Sequence, residues 1–101
     1  METISSFDSH VYVKEVDENY NIQIHGDDVR SGDFAGILAY TVYLTDKDPY
    51  HDFMVGVTRK AYPNDGSITE EKQLSELEGM INEALPSAIE TFEKLLVTYN
   101  S

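Results

Sequence analysis

The stretch FAGILAYTVYLT, Phe34–Thr45, decides the fold because it is a strand with apolar side chains on both faces. Strand side chains alternate with a period of two. One face therefore receives Phe34, Leu38, Tyr40, Val42 and Leu44. The opposite face receives Ile37, Ala39, Thr41 and Tyr43. A chain of 101 residues can cover one of these faces with its own helix, so the second is predicted to meet a partner.

Shorter alternating segments flank this strand and predict three more strands. Val11–Val16 alternates briefly, and Tyr20–Ile24 has the pattern of a half-buried strand. His25–Asp33 is polar and contains glycine, which is typical of a loop. Phe53–Val57 follows a proline-bearing turn as the fourth strand, and Ala61–Gly66 closes the sheet. The connections are too short for crossovers, so the strands are predicted to form an antiparallel meander.

After the fourth strand, apolar residues recur every three or four positions, which is typical of an amphipathic helix. Ser67 and Glu70 have the spacing of a capping box. Pro86 removes a hydrogen-bond donor, so we predict two helical segments, Thr69–Ala84 and Pro86–Tyr99. The predicted fold class is α+β, with a four-stranded antiparallel meander followed by a proline-interrupted C-terminal helix packed on one face. Residues 1–101 are predicted to form a single domain.

Charge and composition narrow the classes of function. The chain has 19 acidic and 7 basic residues and a net charge of −12. Phosphates and anionic membrane surfaces would repel it, so neither nucleic acid nor membrane is a predicted partner. The charge either maintains solubility or steers a basic partner.

Composition also bears on the compartment. The absence of cysteine excludes disulfides and thiolate chemistry. The first ten residues lack the basic and apolar regions of a secretory signal, and no apolar stretch approaches the roughly 20 residues of a membrane span. We therefore predict a cytoplasmic location.

Candidate catalytic and metal-binding residues are few. His25, Asp27 and Asp28 offer a nitrogen and two oxygens, but turn-forming aspartates are expected in a loop, so no metal site is predicted. Glu70 and Glu71 complement the dipole at a helix start. The sequence contains no phosphate-binding glycine motif and no nucleophile motif. We therefore predict neither enzymatic activity nor a cofactor.

The aromatic residues divide into two groups. Tyr20, Tyr40, Phe53 and Phe92 fall on the predicted core side. The remaining tyrosines of the central region are harder to bury in one subunit, and tyrosine is enriched at interfaces. Together with neighbouring apolar residues they would form a patch too large for an ordinary monomer surface. The predicted partner-binding residues are Ile37, Ala39, Tyr43, Tyr50, Met54 and Tyr62.

The order of these elements resembles the SecB family of export chaperones. The matching stretches are NIQIH (Asn21–His25), AGILAYTVYL (Ala35–Leu44), FMVGV (Phe53–Val57) and LEGMINEALPSAIETFEKLLV (Leu77–Val97). The last contains a leucine before a proline, then an apolar helix, as in SecB-like proteins. The resemblance implies a homo-oligomer, a dimer or a dimer of dimers, that holds unfolded or extended polypeptides in apolar grooves.

One position departs from the SecB pattern. SecB has an acidic residue in the fourth-strand motif that helps to dock the SecA motor, and Gly56 stands at the matching position here. The resemblance therefore implies a SecB-like relative with another client or partner.

Two other classes of function fit the charge and size. One is a small acidic inhibitor of phage or mobile-element type that mimics nucleic acid, which requires acidic residues in rows on one face. The other is a structural assembly subunit, which predicts oligomers without affinity for unfolded clients. The acidic residues are spread through turns and helix starts, which favours polypeptide binding over mimicry.

Overall fold

The chain folds into one antiparallel sheet followed by one long helix. The computed structural model describes residues 7–29, 32–33, 35–48, 51 and 53–100, with residues 7–10 described by their backbone alone. The elements are β1 (Phe7–Glu15), β2 (Tyr20–Val29), β3 (Ile37–Asp46), β4 (Val55–Pro63) and α1 (Glu70–Tyr99). The sheet order is β1-β2-β3-β4, and each neighbouring pair is antiparallel. The predicted α+β class and the meander are confirmed.

Short polar turns connect the strands. Between β1 and β2, the Asp17 carboxylate accepts hydrogen bonds from the backbone N–H groups of Asn19 and Tyr20, at 2.7 and 3.0 Å. Before β3, Gly36 has a φ of +83°, a conformation that favours glycine. Its N–H donates to the carbonyl of Val29, and its own carbonyl accepts from Asn64, each at 2.8 Å. Gly36 therefore aligns the start of β3 with the ends of both neighbouring strands.

All four strands differ from their predicted bounds. β1 spans Phe7–Glu15 rather than Val11–Val16. β3 spans Ile37–Asp46 rather than Phe34–Thr45, and Phe34 itself lies outside the described residues.

β2 continues to Val29, so the prediction of a loop from His25 onward is wrong. The polar sequence is paired on both sides, and the buried Gly26 lies opposite Tyr40. β4 begins at Val55 and extends to Pro63, so it starts two residues later than predicted and ends further along the chain.

The helix is continuous, so the predicted break at Pro86 is wrong. Pro86 lies inside α1 with an exposed side chain. The helix begins after Thr69, whose hydroxyl accepts a hydrogen bond from the N–H of Lys72 at 3.2 Å. Thr69 thus occupies the N-cap position that the capping-box pattern assigned to Ser67.

One face of the sheet packs against α1, and we call it the helix face. It carries Ile22, Tyr40, Val42, Leu44 and Val55, all buried. From α1, Leu77, Ile81, Ala88 and Phe92 complete this core. The Phe92 ring lies edge-on to Tyr20 and against Phe53, with centroids 5.5 and 4.9 Å apart. The core-side assignment of these aromatic residues is confirmed.

The opposite side of the sheet, which we call the open face, carries alternate residues of the same strands. Cross-strand pairing places Val13, Gln23 and Tyr43 in one row and Val11, His25, Thr41 and Arg59 in the next. In β4, a bulge at Val57 shifts the register by one residue, because Val42 pairs with Thr58 whereas Tyr43 pairs with Gly56. The bulge therefore reverses which β4 residues face the helix.

Candidate functional site

The helix lies over the β3–β4 side of the helix face. No Cα of α1 lies within 8 Å of a Cα in β1 or β2 in the part of the chain described, whereas α1 approaches both β3 and β4. The helix-facing side of β1 therefore extends beyond α1, whereas Tyr20 and Ile22 of β2 are buried. A groove runs between these two strands and the adjacent side of the helix.

The floor of the groove is aliphatic. Its cavity volume is about 510 Å³, within the range of ~300–1,000 Å³ that is usual for ligand sites. Ser75 and Asn82 add uncharged polar groups along the helix side. The apolar lining residues are Val16, Ile22, Ile24, Leu74, Ile81 and Leu85.

Charged and phenolic side chains form the rim. Lys14 on β1 donates a hydrogen bond to Glu78 on α1, with Nζ and Oε2 2.7 Å apart. The Tyr12 hydroxyl donates to Glu70 Oε2 at 2.9 Å. The hydrogen bond from Lys14 lowers the pKa of Glu78, and the one to Glu70, followed by burial, raises the pKa of Tyr12. Glu15 and Glu71 add further negative charge to the rim.

The shape of the groove suits an extended chain. Its helix side runs from Glu71 to Leu85, which corresponds to about 21 Å at ~1.5 Å per residue. About six residues of extended polypeptide, at ~3.3 Å each, have the same length. An aliphatic floor of this kind can bury alternate apolar side chains of such a segment.

Four of the six predicted partner-binding residues lie on or beside the open face, away from this groove. Ile37, Ala39 and Tyr43 are half-buried on it, and the Tyr43 ring lies edge-on to His25 with centroids 5.1 Å apart. Met54, just before β4, is 46% exposed. The structure thus brings together a mixed apolar and polar surface on β3.

The other two predicted partner-binding residues do not join that surface. The prediction that Tyr62 is difficult to bury is wrong, because its side chain is only 3% exposed. The β4 bulge turns Tyr62 toward the helix face, where its ring contacts Tyr40 and its hydroxyl donates to Glu76 at 3.0 Å. Burial, then the hydrogen bond to Glu76, raises the pKa of Tyr62. Tyr50 lies outside the described residues.

The sequence reading missed the groove and one buried polar side chain. Leu74 and Leu85 have the spacing of the amphipathic stripe, which predicts only that they face the sheet. No local pattern indicates that α1 is displaced toward β4. Gln73 is buried, accepts from the Tyr40 hydroxyl and donates to the carbonyl of Ile68, both at 3.0 Å. Burial raises the pKa of Tyr40 to about 12. A glutamine among the apolar residues of the helical stripe could have indicated these buried hydrogen bonds.

The described residues contain no group of three or more histidine, aspartate or glutamate side chains arranged to hold a metal ion. His25 and Asp27 occupy the open face, whereas Asp28 has the opposite strand parity and accepts a hydrogen bond from Asn64 at 2.7 Å. Asp28 therefore lies on the other face of the strand from His25 and Asp27.

Comparisons with models of protein families, with curated proteins and with solved structures gave no match. The resemblance to the SecB family therefore stays a prediction from the sequence. In the part of the chain described, no helix is both long enough and apolar enough to cross a membrane.

Proposed function

We propose that this protein is an oligomeric, non-catalytic holdase that binds extended, non-native polypeptide segments. The observation that carries the proposal is the aliphatic groove between α1 and the β1–β2 hairpin. Its length corresponds to a short extended segment, and its floor offers hydrophobic contact without a fixed pattern of hydrogen bonds. Such a surface accepts many sequences, which is what a holdase requires.

The acidic residues around the groove favour a bound segment that carries positive charge. Glu15, Glu71 and Glu78 line the rim beside the single cation Lys14, and the whole chain carries a net charge of −12. A segment that combines apolar residues with lysine or arginine would gain both burial and electrostatic attraction. The occupant we propose is therefore an extended apolar segment with net positive charge.

Assembly is proposed through the outer edge of β1, with a second copy of this chain as the partner. Native edge strands avoid association through charged side chains, prolines and bulges. β4 has all three, in Arg59, Lys60, Pro63 and the bulge. β1 contains Lys14 and Glu15 but no proline and no bulge, and it exposes Val11 and Val13, at 55% and 64%. Antiparallel pairing of two β1 strands about Tyr12 would place Val11 of each copy opposite Val13 of the other.

The groove can be tested by substituting one of its lining residues. Leu74→Asn should lower the affinity for a fluorescein-labelled peptide of alternating leucine and lysine by about tenfold, because a partly buried leucine contributes ~1.4 kcal/mol. Leu95→Asn is the matched control, since Leu95 lies on the same helix, exposed and outside the groove lining. Fluorescence anisotropy measures binding, and light scattering measures suppression of aggregation of a guanidinium-denatured client.

Circular dichroism of both variants separates loss of binding from loss of folding. The proposal is wrong if folded wild-type protein neither binds the peptide nor suppresses aggregation. Equal loss of affinity in the two leucine variants would place binding elsewhere on α1.

Nucleic-acid mimicry has less support. Three of the helix glutamates accept hydrogen bonds within the chain, namely Glu70 from Tyr12, Glu76 from Tyr62 and Glu78 from Lys14. Their carboxylates are oriented toward the sheet rather than presented together in an outward row.

A further inference from the structure

Two side-chain contacts join β1 to α1, one across the groove and one beside its end. They are the hydrogen bond from Tyr12 to Glu70 and the ion pair between Lys14 and Glu78. We propose that these two contacts form a strap that restricts entry to the groove and opens when a polypeptide segment binds. This proposal rests on the proposed function, since it concerns regulation of the same site.

The spacing of the four residues supports a strap. Tyr12 and Lys14 are two residues apart on one strand, so their side chains project from the same face. Glu70 and Glu78 are eight residues apart on α1, which places them about 12 Å apart along the helix axis. The two contacts thus flank about half the length of the groove, the half whose helix side contains Leu74.

The contacts are made by long side chains over an open gap. No Cα of α1 lies within 8 Å of a Cα in the described β1 strand, so backbone packing does not hold these elements together. The Lys14 and Glu78 side chains are 57% and 56% exposed, and exposed ion pairs are weak. A strap of this strength holds the opening in the unoccupied protein, and a bound segment can displace it.

Removing the strap should therefore increase binding. In the double variant Tyr12→Phe, Glu78→Gln, the ring and the side-chain length are kept while the phenol donor and the carboxylate are lost. We expect its affinity for an uncharged, end-blocked peptide of alternating leucine and serine to rise about two- to tenfold, with faster association. An uncharged peptide separates the strap from attraction between the rim and a cationic ligand.

Glu83→Gln is the control for charge, because it makes the same change on the same helix outside the groove lining. Its affinity should equal that of the wild type. Unchanged or weaker binding by the double variant would overturn the strap, and weaker binding would identify Tyr12 and Glu78 as residues that contact the peptide.

A covalent strap gives the opposite change. The chain has no cysteine, so Lys14→Cys, Glu78→Cys introduces the only pair that a short bismaleimide can link. The linked protein should lose peptide binding, whereas the same variant treated with N-ethylmaleimide should keep it. Full binding by the linked protein would overturn the strap. Absence of binding by every form, wild type included, would instead contradict the proposed function. Hydrogen exchange of β1 would then still test the strap. Faster exchange in Tyr12→Phe, Glu78→Gln than in the wild type would support the strap, and equal exchange would overturn it.

Discussion

The imidazole of His51 joins the end of β3 to the C-terminal turn of α1. Its Nδ1 lies 2.5 Å from Asp46 Oδ2, and its Nε2 lies 3.6 Å from Asp48 Oδ2. On the other side, the ring is edge-on to Tyr99, with centroids 5.1 Å apart, and tilted against Phe53 at 5.9 Å. The hydrogen bond to Asp46 is the main cause that raises the pKa of His51 above 6.5. The ring therefore links the loop after β3 to the helix.

This geometry predicts that the fold loses stability as pH rises through the pKa of His51. The folded-state pKa is raised, so the contribution is fully present below the unfolded value of about 6.5 and is lost as the folded protein releases the proton. His51→Gln should flatten the fall in unfolding free energy above that pH, measured by urea unfolding at a series of pH values. His25→Gln removes a histidine from the sheet and leaves the Asp46 pair intact, so it is the control for the loss of a histidine elsewhere in the fold. An unchanged slope in His51→Gln would contradict the prediction.

Tyr43 and Tyr62 illustrate how far single residues could be predicted. The alternation of β3 correctly placed Tyr40, Val42 and Leu44 in the core and Tyr43 on the opposite face. Tyr62 was placed incorrectly because the predicted strand ended at Val57, whereas β4 continues to Pro63 and, after the bulge, turns Tyr62 toward the helix face. Gly56, directly before Val57, was a local signal for the bulge, since a glycine inside a strand often marks one. The alternation of strand side chains therefore predicts which face of the sheet a residue occupies only as far as the next bulge.

At the scale of elements, α1 stays continuous through a proline. Pro86 cannot donate to the Asn82 carbonyl, and its ring opposes helical geometry at the preceding turn. The residues before and after it bury the same stripe against β3 and β4, with Leu77 and Ile81 on one side of the proline and Phe92 on the other. Tertiary packing of this stripe offsets the local cost. The sequence predicts the period of the stripe. It does not show whether packing of the stripe outweighs the local cost of the proline.

Replacing the proline should stabilise the helix. Pro86→Ala restores a hydrogen-bond donor at an exposed position and should raise the unfolding free energy by about 1–3 kcal/mol in urea. Ser87→Ala, at the neighbouring exposed position, is the control and should change stability by only a few tenths of a kcal/mol. No gain in the proline variant would mean that the helix has adapted fully to the missing donor.

The position of α1 explains why the groove was not predicted. Helical periodicity identifies which residues face a sheet, but it does not say which strands they cover. Leu74 therefore has the same sequence signature as Leu77, yet Leu77 is buried in the core and Leu74 lines the groove. The displacement of the helix toward β4 emerges only when strands, bulge and helix are packed together.

At the scale of the whole molecule, the strong negative charge opposes association of two copies, whereas the exposed apolar surface favours it. A net charge of −12 disfavours close approach of two copies, so assembly requires a locally favourable surface. The outer edge of β1 offers backbone hydrogen-bonding groups together with the exposed Val11 and Val13. Pairing of two β1 strands would extend the sheet to eight strands and bring two grooves to the same side of it.

One lysine should therefore separate the subunits when it is placed on β1 and not when it is placed on β4. Val13→Lys puts a charge beside the proposed edge and should lower the solution mass, measured by light scattering after size exclusion, from that of an oligomer to that of one chain. Ala61→Lys makes the same charge change at an exposed position on the open face of β4, so it should keep the oligomer. Circular dichroism checks that both variants are folded. Dissociation by both would assign assembly to the open face around Ala39 and Tyr43, and a monomeric wild type would contradict assembly altogether.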